Sequence, residues 1–273
     1  MRTVLPSKIA SAAVVIAAAA SSVCAAPPQA APPSPLPRGL KEWAVEYSVT
    51  GGIRPYTHSV SVTSDGALVG IDTNARHHII ARASAEVVAK VAAFLNHAHT
   101  ATRVVPGPDQ RVTDLVLKTG GKDYLIAGTP EIFQVLDNAF GVAVADGLIG
   151  EWRESEWKLC TPVPQLAPGD IDAAIDTLAF KNDGSFSVTW PGGPRTTGVP
   201  HVQVPDYYGR YTLEPAQGYF QMRIEGGRFI PTDVVNKGQF GIADGTLIIR
   251  NAWFGTKQAR KKPDICELTF VRK

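Results

Sequence analysis

The sequence predicts two antiparallel folds in series: an α+β domain over residues 40–147 and an all-β barrel or sandwich over residues 151–273. Three observations carry this. Short apolar-alternating runs recur along both regions, separated by Gly, Asn, Asp and Pro turn residues. Clear helical periodicity occurs at only two places, both before residue 148. Beyond the amino terminus there is no apolar run long enough to cross a bilayer.

In the first region, Trp43 to Val49 has strand composition and ends at the turn signal Gly51-Gly52. His58 to Thr63 alternates, with Val60 and Val62 on one face. Ser64-Asp65-Gly66 turns the chain, and Ala67 to Asp72 returns as the partner strand. A further short strand ends at Ile79-Ile80. Ser84 then caps a helix whose Val87, Val91, Phe94 and Leu95 fall on one face, with Val88 beside them. A second hairpin joins Asp114–Leu117 to Tyr124–Ile126 through Gly120-Gly121. Thr129 caps a shorter helix with Pro130 at its first position and Ile132, Phe133, Leu136 and Phe140 facing inward. Hairpins with two helices on one face make an α+β sandwich.

The second region carries one weak helical stretch, Ile171 to Ile175, and otherwise strands. Leu178–Lys181 and Ser185–Trp190 flank Asn182-Asp183-Gly184. Tyr208–Leu213, Tyr219–Ile224, Gln239–Ile242, Thr246–Asn251 and Glu267–Val271 follow. Closing such strands into a barrel removes exposed sheet edges.

The amino terminus reads as an export signal over residues 1–25. Arg2 and Lys8 form the basic part, Ile9 to Ala20 the apolar part, and Ser21 to Ala25 a small-residue cleavage site. A second reading makes Cys24 a lipid attachment point, and then the protein is a surface-anchored lipoprotein of structural role. Residues 26–39 hold Pro27, Pro28, Pro32, Pro33, Pro35 and Pro37, the composition of an extended tether. A periplasmic or secreted location follows from the signal. The full chain has 27 Lys+Arg and 25 Asp+Glu; losing Arg2 and Lys8 leaves 25 of each, so the basic excess of a nucleic-acid binder is missing. A membrane partner enters only with a lipid on Cys24. Cys160 and Cys266 are the remaining cysteines, and in an oxidising compartment they are expected to pair, joining the first and last strands of the second region.

Two family resemblances attach to these patterns. The strand ending in Thr50-Gly51-Gly52-Ile53, the Ser84-to-His97 helix and the later hairpin with its short helix resemble exported domains related to emfourin-type inhibitors of thermolysin-like metalloproteases. The hairpin at Asp65-Gly66 is an addition to that pattern. The resemblance implies an α+β fold and recognition of a protease. Leu178 to Phe186, Tyr208-Gly209-Arg210-Tyr211, Asp244-Gly245-Thr246-Leu247 and Cys266 to Phe270 are similar to small bacterial lipocalin-like or META-like barrels, which implies a fold and no particular chemistry.

No nucleophile elbow, phosphate-binding loop or zinc helix motif is found, so the protein is expected to be non-enzymatic and without a cofactor. His58, His77, His78, His97 and His99 make the first region His-rich. A metal site and solvated helix-end histidines are the two readings, and no carboxylate stands at ligand-like spacing with them. Asp170, Asp172 and Asp176 lack the order of a calcium loop, and Glu151, Glu154 and Glu156 fit an alternating edge strand or linker. Lys257, Arg260, Lys261 and Lys262 read as a hydrated basic loop. Phe180, Phe186, Trp190, Tyr208, Tyr211, Phe220, Phe229, Phe240, Trp253 and Phe270 are expected to fill the barrel. The loop Gly51, Gly52, Ile53, Arg54, Pro55, Tyr56 combines a rigid Pro with Arg and Tyr, types favoured at protein contacts. Recognition of a protein partner through this loop is the first functional expectation. Carriage of a small apolar ligand inside the barrel is the alternative.

Overall fold

The computed structural model describes residues 36, 37, 39–52, 56–103, 107, 109–160, 174–192, 204–257 and 265–273. The expected signal, Cys24, nearly all of the Pro-rich stretch, Ile53–Pro55, Asp170–Asp172 and Arg260–Lys262 lie outside them. Leu36, inside the stretch expected to be a tether, is buried against the core.

The described residues first form six antiparallel strands: β1 (Ala44–Gly51), β2 (Thr57–Thr63), β3 (Ala67–Asp72), β4 (His77–Arg82), β5 (Arg111–Thr119) and β6 (Lys122–Leu125). Their order in the sheet is β4-β3-β2-β1-β5-β6. Alternation decides the faces: Val45, Tyr47, Val60, Val62, Leu68, Leu115 and Leu117 point inward and are buried. The Gly120-Gly121 hairpin has both residues at positive φ, as a two-residue turn between twisted strands requires.

Two helices cover the inward face. In α1 (Ala85–Leu95) the Ser84 hydroxyl accepts the Val87 N–H at 3.3 Å, and Val91 and Leu95 are buried. In α2 (Pro130–Leu148) Thr129 accepts the Ile132 N–H at 3.4 Å. Expected to be the shorter helix, α2 has 19 residues against 11 in α1. Gly141 resembles a stop signal, but the buried face continues through Ala143, Val144 and Leu148, and packing overrides the glycine's low propensity. Gly70 on β3 lets α2 approach, since a Cβ there would overlap the Phe140 ring.

A single residue, Ile149, separates α2 from the next strand. Eight strands then follow: β7 (Gly150–Leu159), β8 (Thr177–Phe180), β9 (Ser185–Thr189), β10 (Tyr207–Glu214), β11 (Tyr219–Gly227), β12 (Lys237–Ala243), β13 (Thr246–Arg250) and β14 (Ile265–Arg272). Each pairs antiparallel with the next, and β14 pairs back onto β7, which closes the barrel. β7 is therefore no edge strand, because β8 and β14 flank it. Its Glu154 accepts the Ile175 N–H at 2.8 Å instead of joining a carboxylate pair, and neither Ala174 nor Ile175 is helical. Cys160 and Cys266 form the expected disulfide across the β7–β14 seam, with Cα atoms 4.7 Å apart.

Aromatic rings occupy the barrel interior. Trp152, Phe186, Trp190, Tyr207, Phe240, Phe254 and Phe270 are all fully buried. Phe186 and Trp190 both meet Tyr207, and Phe254 meets Phe270 edge to face. The Tyr207 hydroxyl donates to the Phe254 carbonyl at 2.7 Å, so its polar end is satisfied.

Sheet and barrel share one hydrophobic cluster. Where they join, β4 and β12 run parallel and touch at one partner pair, His78 with Ala243. Arg76, held at positive φ in the turn before β4, reaches Glu267 on β14 at 2.6 Å. Gly241 on β12 lies so close to the Ala75 carbonyl that no side chain fits there. His77 is locked at the centre of the joint: its Nδ1 accepts the Ile242 N–H at 3.2 Å and its Nε2–H donates to the Pro215 carbonyl at 3.1 Å. Both ring nitrogens are used by a neutral imidazole. Burial, with the Arg250 charge adding to it, pushes its pKa down to about 4 against the pull of Asp72.

Candidate functional site

The register of the β2–β3 hairpin places Val62 opposite Leu68, and counting outward puts His58 opposite Asp72. Both residues face inward, yet they sit at the open end of the sheet where α2 leaves a gap. His58 Nδ1–H donates to Asp72 Oδ2 at 3.1 Å, and Nε2–H donates to Asp137 Oδ1 on α2 at 2.9 Å. Asp72 also accepts the Tyr56 hydroxyl at 3.1 Å and the Ala75 N–H at 2.8 Å. His58 and Asp72 are 7% and 5% exposed, while the Asp137 side chain is 43% exposed.

Burial alone would lower the His58 pKa. The hydrogen bonds to Asp137 and Asp72, and their charges, outweigh it and raise the value to about 9. His58 is therefore an imidazolium at neutral pH. Burial would raise the Asp72 carboxyl, but its bonds to His58, the Ala75 N–H and Tyr56 keep it below the usual range. Burial, the Asp72 charge and the bond to it push the Tyr56 hydroxyl up. Both His58 protons are committed, so this group ties α2 to β2 and β3 and offers no free base.

Around this clamp lies an open cleft of about 1300 Å3. Its floor is Tyr47, Val49, Tyr56 and His58; one wall is the face of α2 from Phe133 to Ala145. The opposite wall is the 3-10 turn Pro215–Gln217 and the barrel residues Tyr219 and Gln239. Arg111 closes the mouth, with its guanidinium 5.2 Å from the Tyr56 ring centre. A second depression, of about 660 Å3, continues past Tyr219 and Gln239 along β10, β11 and β12. The two depressions share those two residues.

Of the loop singled out in sequence, Tyr56 lines the cleft. Gly51 and Gly52 stand beside its mouth at positive φ, and Gly51 pairs with Arg111. The other histidines part company. His78 bonds Asp244 at 2.9 Å, and His97 and His99 are exposed. Among the described residues no cluster of three or more His, Cys, Asp or Glu side chains is arranged to hold a metal. Asp176 is held by Lys273 at 2.9 Å and by Thr177, and Lys257 donates to the Pro191 carbonyl at 3.0 Å. The carboxylate partners of His58 form no local motif with it. Asp72 was within reach of the hairpin register; Asp137, on a helix 79 positions away, was not.

No family model, curated protein or solved structure matches this chain. Among the described residues no helix is long and apolar enough to cross a membrane.

Proposed function

We propose that this is an exported, non-enzymatic binding protein, an α+β domain fused to a closed barrel, whose ligand occupies the cleft between α2 and the barrel rim. The observation that carries this reading is the cleft of about 1300 Å3, larger than the roughly 300–1000 Å3 of most small-molecule sites and built around a prearranged His58 clamp. The committed protons of His58 favour binding over catalysis. The ring contacts inside the barrel favour a packed interior over carriage of an apolar ligand there. A partner at the 51–56 loop would meet Tyr56 and Arg111 at the mouth of the same cleft.

A plug tests the reading. A Cβ at Gly141 meets nothing within 4 Å, so Gly141→Trp on α2 projects a large ring into the cleft without displacing the core. Native mass spectrometry of the protein isolated from the exporting cell is expected to show a bound species that Gly141→Trp lacks. A protein that carries nothing, or carries the same species in both forms, would overturn the cleft as the site.

A further inference from the structure

The cleft's polar groups divide into two sets. The charged ones near its floor are already matched: Asp72 and Asp137 share the imidazolium of His58. Arg111 at the mouth, and Glu214 and Lys237 in the second depression, are charged and form no ion pair among the described residues; the other polar groups presented to a ligand are neutral. The side-chain amides of Gln134 and Asn138 on α2, Gln217 on the turn and Gln239 on β12 line the cleft and make no hydrogen bond among the described residues. Each offers a donor and an acceptor on one planar group.

Between the two depressions stands Tyr219, 46% exposed and directly opposite Gln239 in the β11–β12 register. It stands on a strand paired on both sides, opposite that amide. An aromatic face of this kind is electron-rich and attracts weakly positive C–H groups laid flat upon it. Hydroxyls that project around the edge of such a ligand would meet the amides. A surface of aromatic platform and side-chain amides matches a flat, hydroxyl-rich ring. The continuation of the groove past Tyr219 provides for more than one ring in a row.

A peptide laid in as an added strand needs an open sheet edge. The main cleft does not supply one at its lining strands; in the second depression Thr212–Glu214 on β10 pair with β11 alone. Tyr47 and Val49 on β1, His58 on β2, Tyr219 on β11 and Gln239 on β12 are each paired on both sides.

We propose that the groove binds an oligosaccharide, with Tyr219 as the stacking platform and Gln239, Gln217, Asn138 and Gln134 receiving hydroxyls. This rests on the cleft reading above and names its ligand class.

The test is calorimetric titration of the full mature protein with two uncharged probes, the β-1,4-linked hexamers of glucose and of N-acetylglucosamine. A neutral hexapeptide is titrated in parallel. At least one hexasaccharide is expected to bind, more tightly than its trimer, because a trimer cannot fill both depressions. Tyr219→Ala is expected to weaken it at least tenfold, Tyr219→Phe to leave it within about twofold, and Gln239→Leu to weaken it severalfold. Tyr219 is half exposed, so these variants keep the fold, and their melting temperatures check this. Absence of binding by both hexasaccharides at millimolar concentration, or binding indifferent to Tyr219→Ala, overturns the proposal. Peptide binding that Gly141→Trp abolishes, without saccharide binding, overturns the ligand class and leaves the cleft standing.

Discussion

His58 and Asp72 face each other across β2 and β3, and the 3.1 Å bond between them leaves the second imidazole nitrogen aimed at Asp137 on α2. One protonated ring thereby fastens a helix to a sheet. The strength of that fastening depends on pH.

The His58 pKa rises from an ordinary 6.5 to about 9 in the folded protein. A raised histidine stabilises the fold fully below its unfolded value and loses that contribution as pH rises through the folded one. Stability from this clamp is therefore present below about pH 6.5 and gone above about pH 9. The shift corresponds to about 2–3 kcal/mol, with the Asp137 share reduced by solvent. Asp137→Asn is expected to lower the His58 pKa and flatten stability between pH 6.5 and 9. Imidazole NMR titration and urea unfolding across that window read both effects; an unmoved His58 titration would refute the assignment.

His77 acts in the opposite sense. Its folded pKa is lowered to about 4, so its contribution is present above about pH 6.5 and lost as pH falls toward 4. The predicted loss is about 3 kcal/mol over that window. His77→Gln should be less stable at neutral pH yet show a shallower decline on acidification. Parallel slopes in the two proteins would mean that His77 is not the neutral, buried ring described above.

Gly70→Ala forces a methyl into the Phe140 ring, which is itself fully buried and edge-on to His58 at 5.3 Å. The expected cost is about 1–3 kcal/mol, the range for overpacking a filled core. Denaturant unfolding measures it. Pairing the change with Phe140→Leu should restore part of the loss, since the smaller side chain vacates the overlap.

The Cys160–Cys266 bond closes a loop with a sequence separation of 106. In the chain-entropy model its loss costs about 4–5 kcal/mol, as an upper figure. Replacing both cysteines by serine should lower the melting temperature markedly, and adding reductant to the native protein should reach the same value. A melting point unaffected by either change would show that the seam is held by its strand pairing alone.

Most strands were legible because they carry period-two alternation between strong turns. Ala67–Asp72 and the hairpins at Asp65-Gly66 and Gly120-Gly121 follow from the sequence for that reason. The full length of α2 was hidden by Gly141 and Gly147, which read as stops when only local propensity is weighed. β7 reads locally as an edge strand or linker because its two neighbours, β8 and β14, lie at opposite ends of the barrel sequence. The site was harder. Tyr56 was singled out for its residue type, and the His58–Asp72 pairing was implicit in one hairpin. Gln217, Tyr219 and Gln239 belong to strands and a turn whose placement beside α2 depends on the joint at His77. No local pattern announces that meeting.

The joint has a kinetic consequence. A one-residue connection between α2 and β7, an imidazole bonded at both nitrogens and a backbone approach at Gly241 leave no hinge among the described residues about which the cleft walls could swing. Ligand capture should then be a single-step encounter, its observed rate rising linearly with ligand concentration and never reaching the plateau that a closing lid imposes. Differences in affinity among ligands would appear in how long each stays.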